Sequence, residues 1–160
     1  MFEYRVTKYA PALRDASGVY AREEWTAFSD IGRSLGGVVL NREEYLRVED
    51  AYVASALAFL REAGVRTLTA RDLQNPGGVP VAPVEGGVLF LGQVGEVLRG
   101  LLREDFWCRL EGPGAFIHIG WDYYMYIGVP QACPQAEQMV RRLGLFVEPF
   151  DSPYRERRDA

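Results

Sequence analysis

The segment FWCRLEGPGAFIHIGWDYYMYIG, residues 106–128, contains three short runs of alternating side chains separated by glycine-rich turns. Alternation is typical of β-strands, because successive side chains point to opposite faces of a sheet. The first turn contains Gly-Pro-Gly at 112–114, and the second begins at Gly120. The segment therefore predicts a three-strand antiparallel meander, with strands at 106–111, 115–119 and 123–128.

The register of this meander is predicted from the pairing that keeps one face apolar. In that pairing Cys108 lies opposite Ile117, and Ile117 lies opposite Met125. The other face then carries aromatic rings and polar groups in two rows, Trp107 with His118 and Tyr124, and Arg109 with Phe116 and Tyr126.

This second face suits binding, because tyrosine and tryptophan combine a large apolar body with a hydrogen-bonding group. An arginine beside aromatic rings can stack on them and hold a carboxylate or another anion. Three interpretations stay open at this point: a second core covered by a helix, a protein-binding face, and a small-molecule or catalytic pocket.

The catalytic interpretation depends on His118, the chain's only histidine and its natural general base near neutral pH. Arg109 could steady a phosphate and Tyr124 or Tyr126 could orient it, as ribonuclease-like chemistry requires. Such chemistry also needs a second acid or base, which Asp122 or a tyrosine would have to supply, and neither a Gly-x-Ser-x-Gly elbow nor a phosphate-binding P-loop occurs. We therefore expect a non-enzymatic protein, with the ribonuclease-like reading as the alternative.

Helical periodicity predicts three helices outside the meander. Asn41 and Glu44 form a capping-box pattern that begins an amphipathic helix over 42–63. Segment 75–87 holds three prolines and four glycines, which predicts a long surface loop. Segment 23–32 fits either a short helix or an ordered loop. The other predicted elements are strands at 2–9, 65–70 and 145–150, a helix at 91–105, and a helix that begins at Pro134 and ends before Gly144.

Composition predicts one globular domain over residues 1–160, with a polar C-terminal tail that frays at about 151–160. The fold class predicted is α+β: a mostly antiparallel sheet of five or six strands with three main helices. No apolar run approaches the ~18 residues of a membrane span, and no export signal is evident, which predicts a cytosolic protein.

Charge and cysteine content restrict the partners that we expect. The formal net charge of −4 disfavours nucleic acid and mildly favours a basic protein. Cys108 and Cys133 lack the spacing of a metal site, and only one histidine is available. We therefore expect neither a metal nor another cofactor.

Two segments carry a resemblance to known proteins. RDASGVYAREEWTAFSDIG (14–32) and FIHIGWDYYMYIG (116–128), with SPY at 152–154, resemble a family of small uncharacterised bacterial proteins. That resemblance implies no activity and no functional residue. In size, acidity and lack of catalytic motifs, the chain is also similar in general type to immunity proteins of bacterial toxin systems.

The second likeness implies a cytosolic binding protein that neutralises a basic protein toxin by protein–protein contact. Aromatic anchors would come from the second face of the meander and from the N-terminal loop. The candidates in that loop are Trp25 and the acidic residues Glu23, Glu24 and Asp30.

Overall fold

The centre of the fold is a seven-stranded antiparallel sheet in the computed structural model, which describes residues 1–155. The strands are β1 (Phe2–Thr7), β2 (Ser34–Leu35), β3 (Val38–Val39), β4 (Thr67–Gln74), β5 (Val88–Phe90), β6 (Trp107–Gly112), β7 (Ala115–Ile119), β8 (Met125–Val129) and β9 (Phe146–Pro149). The helices are α1 (Arg42–Glu62), α2 (Leu91–Leu102) and α3 (Pro134–Arg142). The sheet order is β5-β4-β6-β7-β8-β1-β9, and β2 pairs with β3 in a separate hairpin.

The α+β prediction is confirmed, but the predicted count of five or six strands is too low. The main sheet has seven strands, and the β2–β3 hairpin adds two more. The missed strands are short: β5 has three residues, and β2 and β3 have two each. Alternation cannot be recognised over so few positions.

The three-strand meander is confirmed, but its predicted register is wrong by two residues. Ile117 pairs with Leu110 and with Ile127, instead of Cys108 and Met125. The first turn is shorter than predicted because Gly112 already pairs with Ala115. A two-residue shift leaves every side chain on its predicted face, since the strand period is two. His118 consequently faces Tyr126, not Tyr124.

The apolar face of the sheet and the three helices form one core cluster. Helix α1 crosses this face and begins as predicted, with the Asn41 side chain accepting a hydrogen bond from the Glu44 amide at 2.8 Å. Its fully buried aromatic residues are Tyr45, Tyr52 and Phe59. None of the helices within residues 1–155 is long and apolar enough to span a membrane.

The second face is covered by residues 150–155, which we call the C-terminal strap. The sequence had left open a second core under a helix, but an irregular segment takes that place. Ser152 is buried in it and Tyr154 half-buried. Of the tail predicted to fray at about 151–160, residues 151–155 belong to this strap, and residues 156–160 lie outside the described residues.

Candidate functional site

The structure buries most of the residues that the sequence placed on the second face. Arg109, Phe116, His118 and Tyr126 are buried, while Trp107 and Tyr124 are half-buried. This face therefore has little free surface for a partner while the strap is in place.

His118 is the centre of a hydrogen-bond network below the strap. Its Nδ1 lies 2.7 Å from Ser152 Oγ, and its Nε2 lies 3.2 Å from the Glu111 carboxylate. The Phe116 ring stacks on the imidazole at 4.4 Å between centroids. A neutral ring satisfies both contacts, with the serine hydroxyl donating to Nδ1 and Nε2–H donating to Glu111.

The Ser152–His118–Glu111 array contains the residue types of a hydrolytic triad, yet its electrostatics do not suit general-base catalysis. Burial lowers the pKa of His118 to about 3, and the nearby guanidinium groups of Arg109 and Arg155 act in the same direction. Glu111 would oppose this shift, but burial dominates because the side chain is 0% exposed. An efficient base needs a pKa near the working pH and access to its substrate.

The other members of the ribonuclease-like alternative do not assemble around His118 as an acid–base site. The Arg109 side chain donates from Nε to Asp72 at 2.7 Å and from a terminal nitrogen to Glu111 at 2.9 Å. Tyr124 belongs to a separate group, with its ring 5.2 Å from the Arg5 guanidinium carbon. The geometry therefore gives no support to phosphate binding by these residues.

The N-terminal loop candidates have structural contacts of their own. Trp25 is buried in the main core, with its ring 5.0 Å from that of Tyr123. The Glu24 carboxylate accepts hydrogen bonds from the Tyr20 hydroxyl and from Lys8. Two further acidic candidates differ in environment: Asp30 is buried and accepts from backbone amides, whereas Glu23 is exposed.

The most exposed large aromatic side chain of the described residues is Trp121, in the turn between β7 and β8. It is 68% exposed. The two residues after it, Asp122 and Tyr123, both adopt positive φ angles of 62° and 66°. Aspartate tolerates such an angle, but it is uncommon for a bulky residue such as Tyr123, where it costs of the order of 1–3 kcal/mol.

Buried tyrosines hold this strained turn in place. The Tyr9 hydroxyl donates to the carbonyl of Asp122 at 2.7 Å, and the Tyr52 hydroxyl donates to that of Tyr123 at 2.8 Å. The side chain of Tyr123 is itself buried in the core. Because Tyr123, two positions later, is fixed inward, the turn presents Trp121 to solvent in a defined position.

A groove of about 380 Å³ lies beside Trp121. Its apolar wall includes Leu101, Phe106, Trp107 and Ile119. Its only charged residues are Glu104 and Asp105, whose carboxylates make no hydrogen bond or ion pair with another residue in 1–155. We call this surface the Trp121 groove; it combines an aromatic anchor, an apolar wall and unpaired negative charge.

Sequence reasoning did not select Trp121, Glu104 or Asp105 as site residues. A usable signal was present, because Trp121 stands between Gly120 and Asp122 in a predicted turn, where side chains are usually exposed. The groove wall could not be inferred, since it is formed by the end of α2, the start of β6 and the loop after β4.

Replacing Tyr52 by phenylalanine tests how the turn is held. The Tyr52 hydroxyl accepts from the Lys8 amide at 2.8 Å and donates to the carbonyl of Tyr123. Tyr52→Phe leaves both groups unpaired in the interior, at about 1–3 kcal/mol for each. We expect urea denaturation to show a loss of about 2–4 kcal/mol. The half-exposed control Tyr20→Phe should lose less than ~1 kcal/mol, and equal losses would contradict this role.

Comparison with known proteins adds no relative to this geometry. No family model, no curated protein and no solved structure matches the chain. The resemblance to uncharacterised bacterial proteins and the likeness to immunity proteins therefore stay predictions.

Proposed function

We propose that this chain is a non-enzymatic binding protein that docks a protein partner at the Trp121 groove. The observation that carries the proposal is Trp121 itself, a large ring held 68% exposed by a turn in which Tyr123 has a strained backbone. Strain of this kind concentrates at functional sites, and tryptophan is among the residues most enriched at binding hot spots.

The chemistry of the groove favours a partner that is basic and partly apolar. The unpaired carboxylates of Glu104 and Asp105 favour an arginine or lysine of the partner. The exposed Trp121 ring can receive such a cation on its face, while the wall around Phe106 receives an apolar side chain. The chain's net charge of −4 would also steer a basic partner toward it.

An immunity-type role is the specific form of this proposal, with a basic protein toxin as the first partner class to test. Co-expression of a cognate toxin with the wild-type chain would then restore growth of the host cells. Trp121→Ala should fail to restore it, although the variant folds. Equal rescue by both chains would show that the Trp121 groove is not needed to neutralise the toxin.

Comparative capture from a native lysate tests the binding function. Three full-length chains are immobilised: wild type, Trp121→Ala, and Phe90→Ala as a control whose ring is 65% exposed on another part of the surface. We expect a stoichiometric protein on wild type and Phe90→Ala that is lost from Trp121→Ala. A protein held equally by all three chains, or by none, would contradict docking at this groove.

Removing the two negative charges of the groove tests the charge of the partner. The double variant Glu104→Gln, Asp105→Asn should slow association several-fold at low salt, because these carboxylates steer a basic partner. The difference should shrink as ionic strength rises. Surface plasmon resonance against the captured partner measures both effects, with the exposed Glu43→Gln as control. A partner that binds the double variant faster must be acidic, contrary to the proposal.

A further inference from the structure

The C-terminal strap lies on the second sheet face and contacts it through individual side chains. Ser152 contributes its hydroxyl to His118 Nδ1 at 2.7 Å and its amide to the Glu3 carboxylate at 3.1 Å. The Tyr154 ring lies 5.9 Å from the ring of Trp107. Arg155 forms an ion pair with Glu3. One backbone hydrogen bond, from the Phe150 amide to the Glu3 carbonyl at 3.1 Å, joins the start of this segment to β1, and side-chain contacts hold the rest.

The receptor side of this contact belongs to the rigid sheet. Phe150 rests on the Arg5 guanidinium, with the carbon 3.9 Å from the ring centroid. Gly120 leaves room for Tyr154, since a Cβ there would lie 3.1 Å from the tyrosine hydroxyl. The strap follows the last strand of the sheet, β9, so its departure breaks the Phe150–Glu3 backbone hydrogen bond but leaves the pairs between β1 and β9 intact.

We propose that the second sheet face is a peptide-binding groove that the strap occupies in cis. A partner segment of the same pattern would occupy the groove in trans. In this pattern an aromatic residue, a serine or threonine, and a tyrosine stand at every second position, and an arginine directly follows the tyrosine. His118 Nδ1 selects the hydroxyl, the Trp107 and Tyr126 rings take the tyrosine, and Glu3 takes the arginine.

The hydroxyl is the specificity element of this groove. His118 is fully buried, and its Nε2–H is directed to Glu111, so Nδ1 is left as an acceptor that needs a donor. A segment with alanine at this place leaves Nδ1 unpaired, and sites built to hydrogen-bond a hydroxyl reject analogues that lack it.

The cis strap competes with any segment in trans. A tethered ligand acts at an effective concentration of the order of millimolar, so the wild-type chain should bind a free segment weakly. Weakening the strap within the full-length chain should therefore raise the affinity for that segment. The strap and the Trp121 groove share contacts with Trp107 and Gly120. This inference rests on the strap's contacts with His118, Glu3 and Arg5, none of which lines that groove.

The probe is a fluorescein-labelled peptide FDSPYR, which reproduces residues 150–155, measured by fluorescence anisotropy against full-length chains. Tyr154→Ala removes the largest strap anchor, and we expect it to bind the peptide at least roughly tenfold more tightly than wild type. Ser29→Ala, an exposed serine elsewhere, serves as the control and should bind as wild type does. A peptide with alanine in place of its serine should bind at least about tenfold more weakly.

Three results would overturn the proposal. The first is a cooperatively folded Tyr154→Ala chain that binds the peptide no better than wild type. The second is equal binding of the alanine peptide. The third is a concentration-dependent dimer of the wild-type chain, which would assign the face to the strap of a second copy. If Tyr154→Ala does not fold, the exposed Arg155→Ala is used in its place, with the same expected direction.

Discussion

Replacement of Glu49 by alanine is expected to lower the free energy of unfolding by about 3–5 kcal/mol, the usual cost of breaking a buried ion pair. Glu49 is 0% exposed inside helix α1 and accepts two hydrogen bonds from Arg103 at 2.7 Å and one from Arg99 at 2.9 Å. Without the carboxylate, Arg103 loses both of its hydrogen bonds, Arg99 is left with its surface pairs with Asp50 and Glu96, and a cavity opens beneath them. These residues join α1 to α2, so the loss should affect the whole helical layer.

Chemical denaturation at pH 7 measures this loss, with Glu43→Ala as the matched control. Glu43 is an exposed glutamate of the same helix, and its removal should cost less than about 0.5 kcal/mol. Burial alone would raise the pKa of Glu49, but the hydrogen bonds from Arg103 and Arg99 outweigh it and hold the pKa below its usual value. Its stabilising effect is therefore complete above the unfolded pKa near 4.3 and is lost as pH falls through the folded pKa. Equal stability of the two variants would contradict the ion-pair account.

The second large effect is a loss of stability in mild acid caused by His118. Its pKa is about 3 in the folded chain, against about 6.5 when unfolded. Between these values the unfolded chain binds a proton that the folded chain does not. Stability should therefore fall as pH drops below 6.5, by up to about 1.4 kcal/mol for each pH unit until the folded pKa is reached.

His118→Gln isolates this effect, because glutamine keeps a hydrogen-bonding side chain but does not titrate. Unfolding free energies are measured for both chains between pH 7 and pH 4.5, above the range in which most carboxylates protonate. We expect the wild type to lose about 2–3 kcal/mol over this interval and the variant to stay nearly constant. A wild-type stability that does not change over the interval would show that the pKa of His118 is the same in the folded and unfolded chains, contrary to this account.

Sequence periodicity predicted the regular elements well where the signal was long. Helix α1 has a capping residue at Asn41 and an apolar stripe over several turns, and it begins and ends within one residue of the prediction. The meander was recognised for the same reason. Its register was not, because a shift of two residues preserves both faces, and only the length of the turn at Pro113 and Gly114 distinguishes the alternatives.

The sites were harder to predict, since both depend on irregular backbone. Residues 150–155 contain Pro153 and form neither a helix nor a strand, so nothing in the sequence indicated that they cover His118. The outward position of Trp121 depends on positive φ angles at Asp122 and Tyr123, which residue preferences do not predict. The aromatic face was identified correctly as a set of residues, whereas its burial could be seen only in three dimensions.

The dissociation constant of the captured partner for the Trp121→Ala chain tests the central claim most directly. It is compared with the constants for wild type and for Phe90→Ala, after thermal melts have shown that all three chains fold. Docking on the Trp121 ring predicts a loss of at least about 2 kcal/mol for Trp121→Ala, roughly 30-fold in affinity, and no change for Phe90→Ala. Unchanged affinity of Trp121→Ala would contradict the claim that this groove is the binding site.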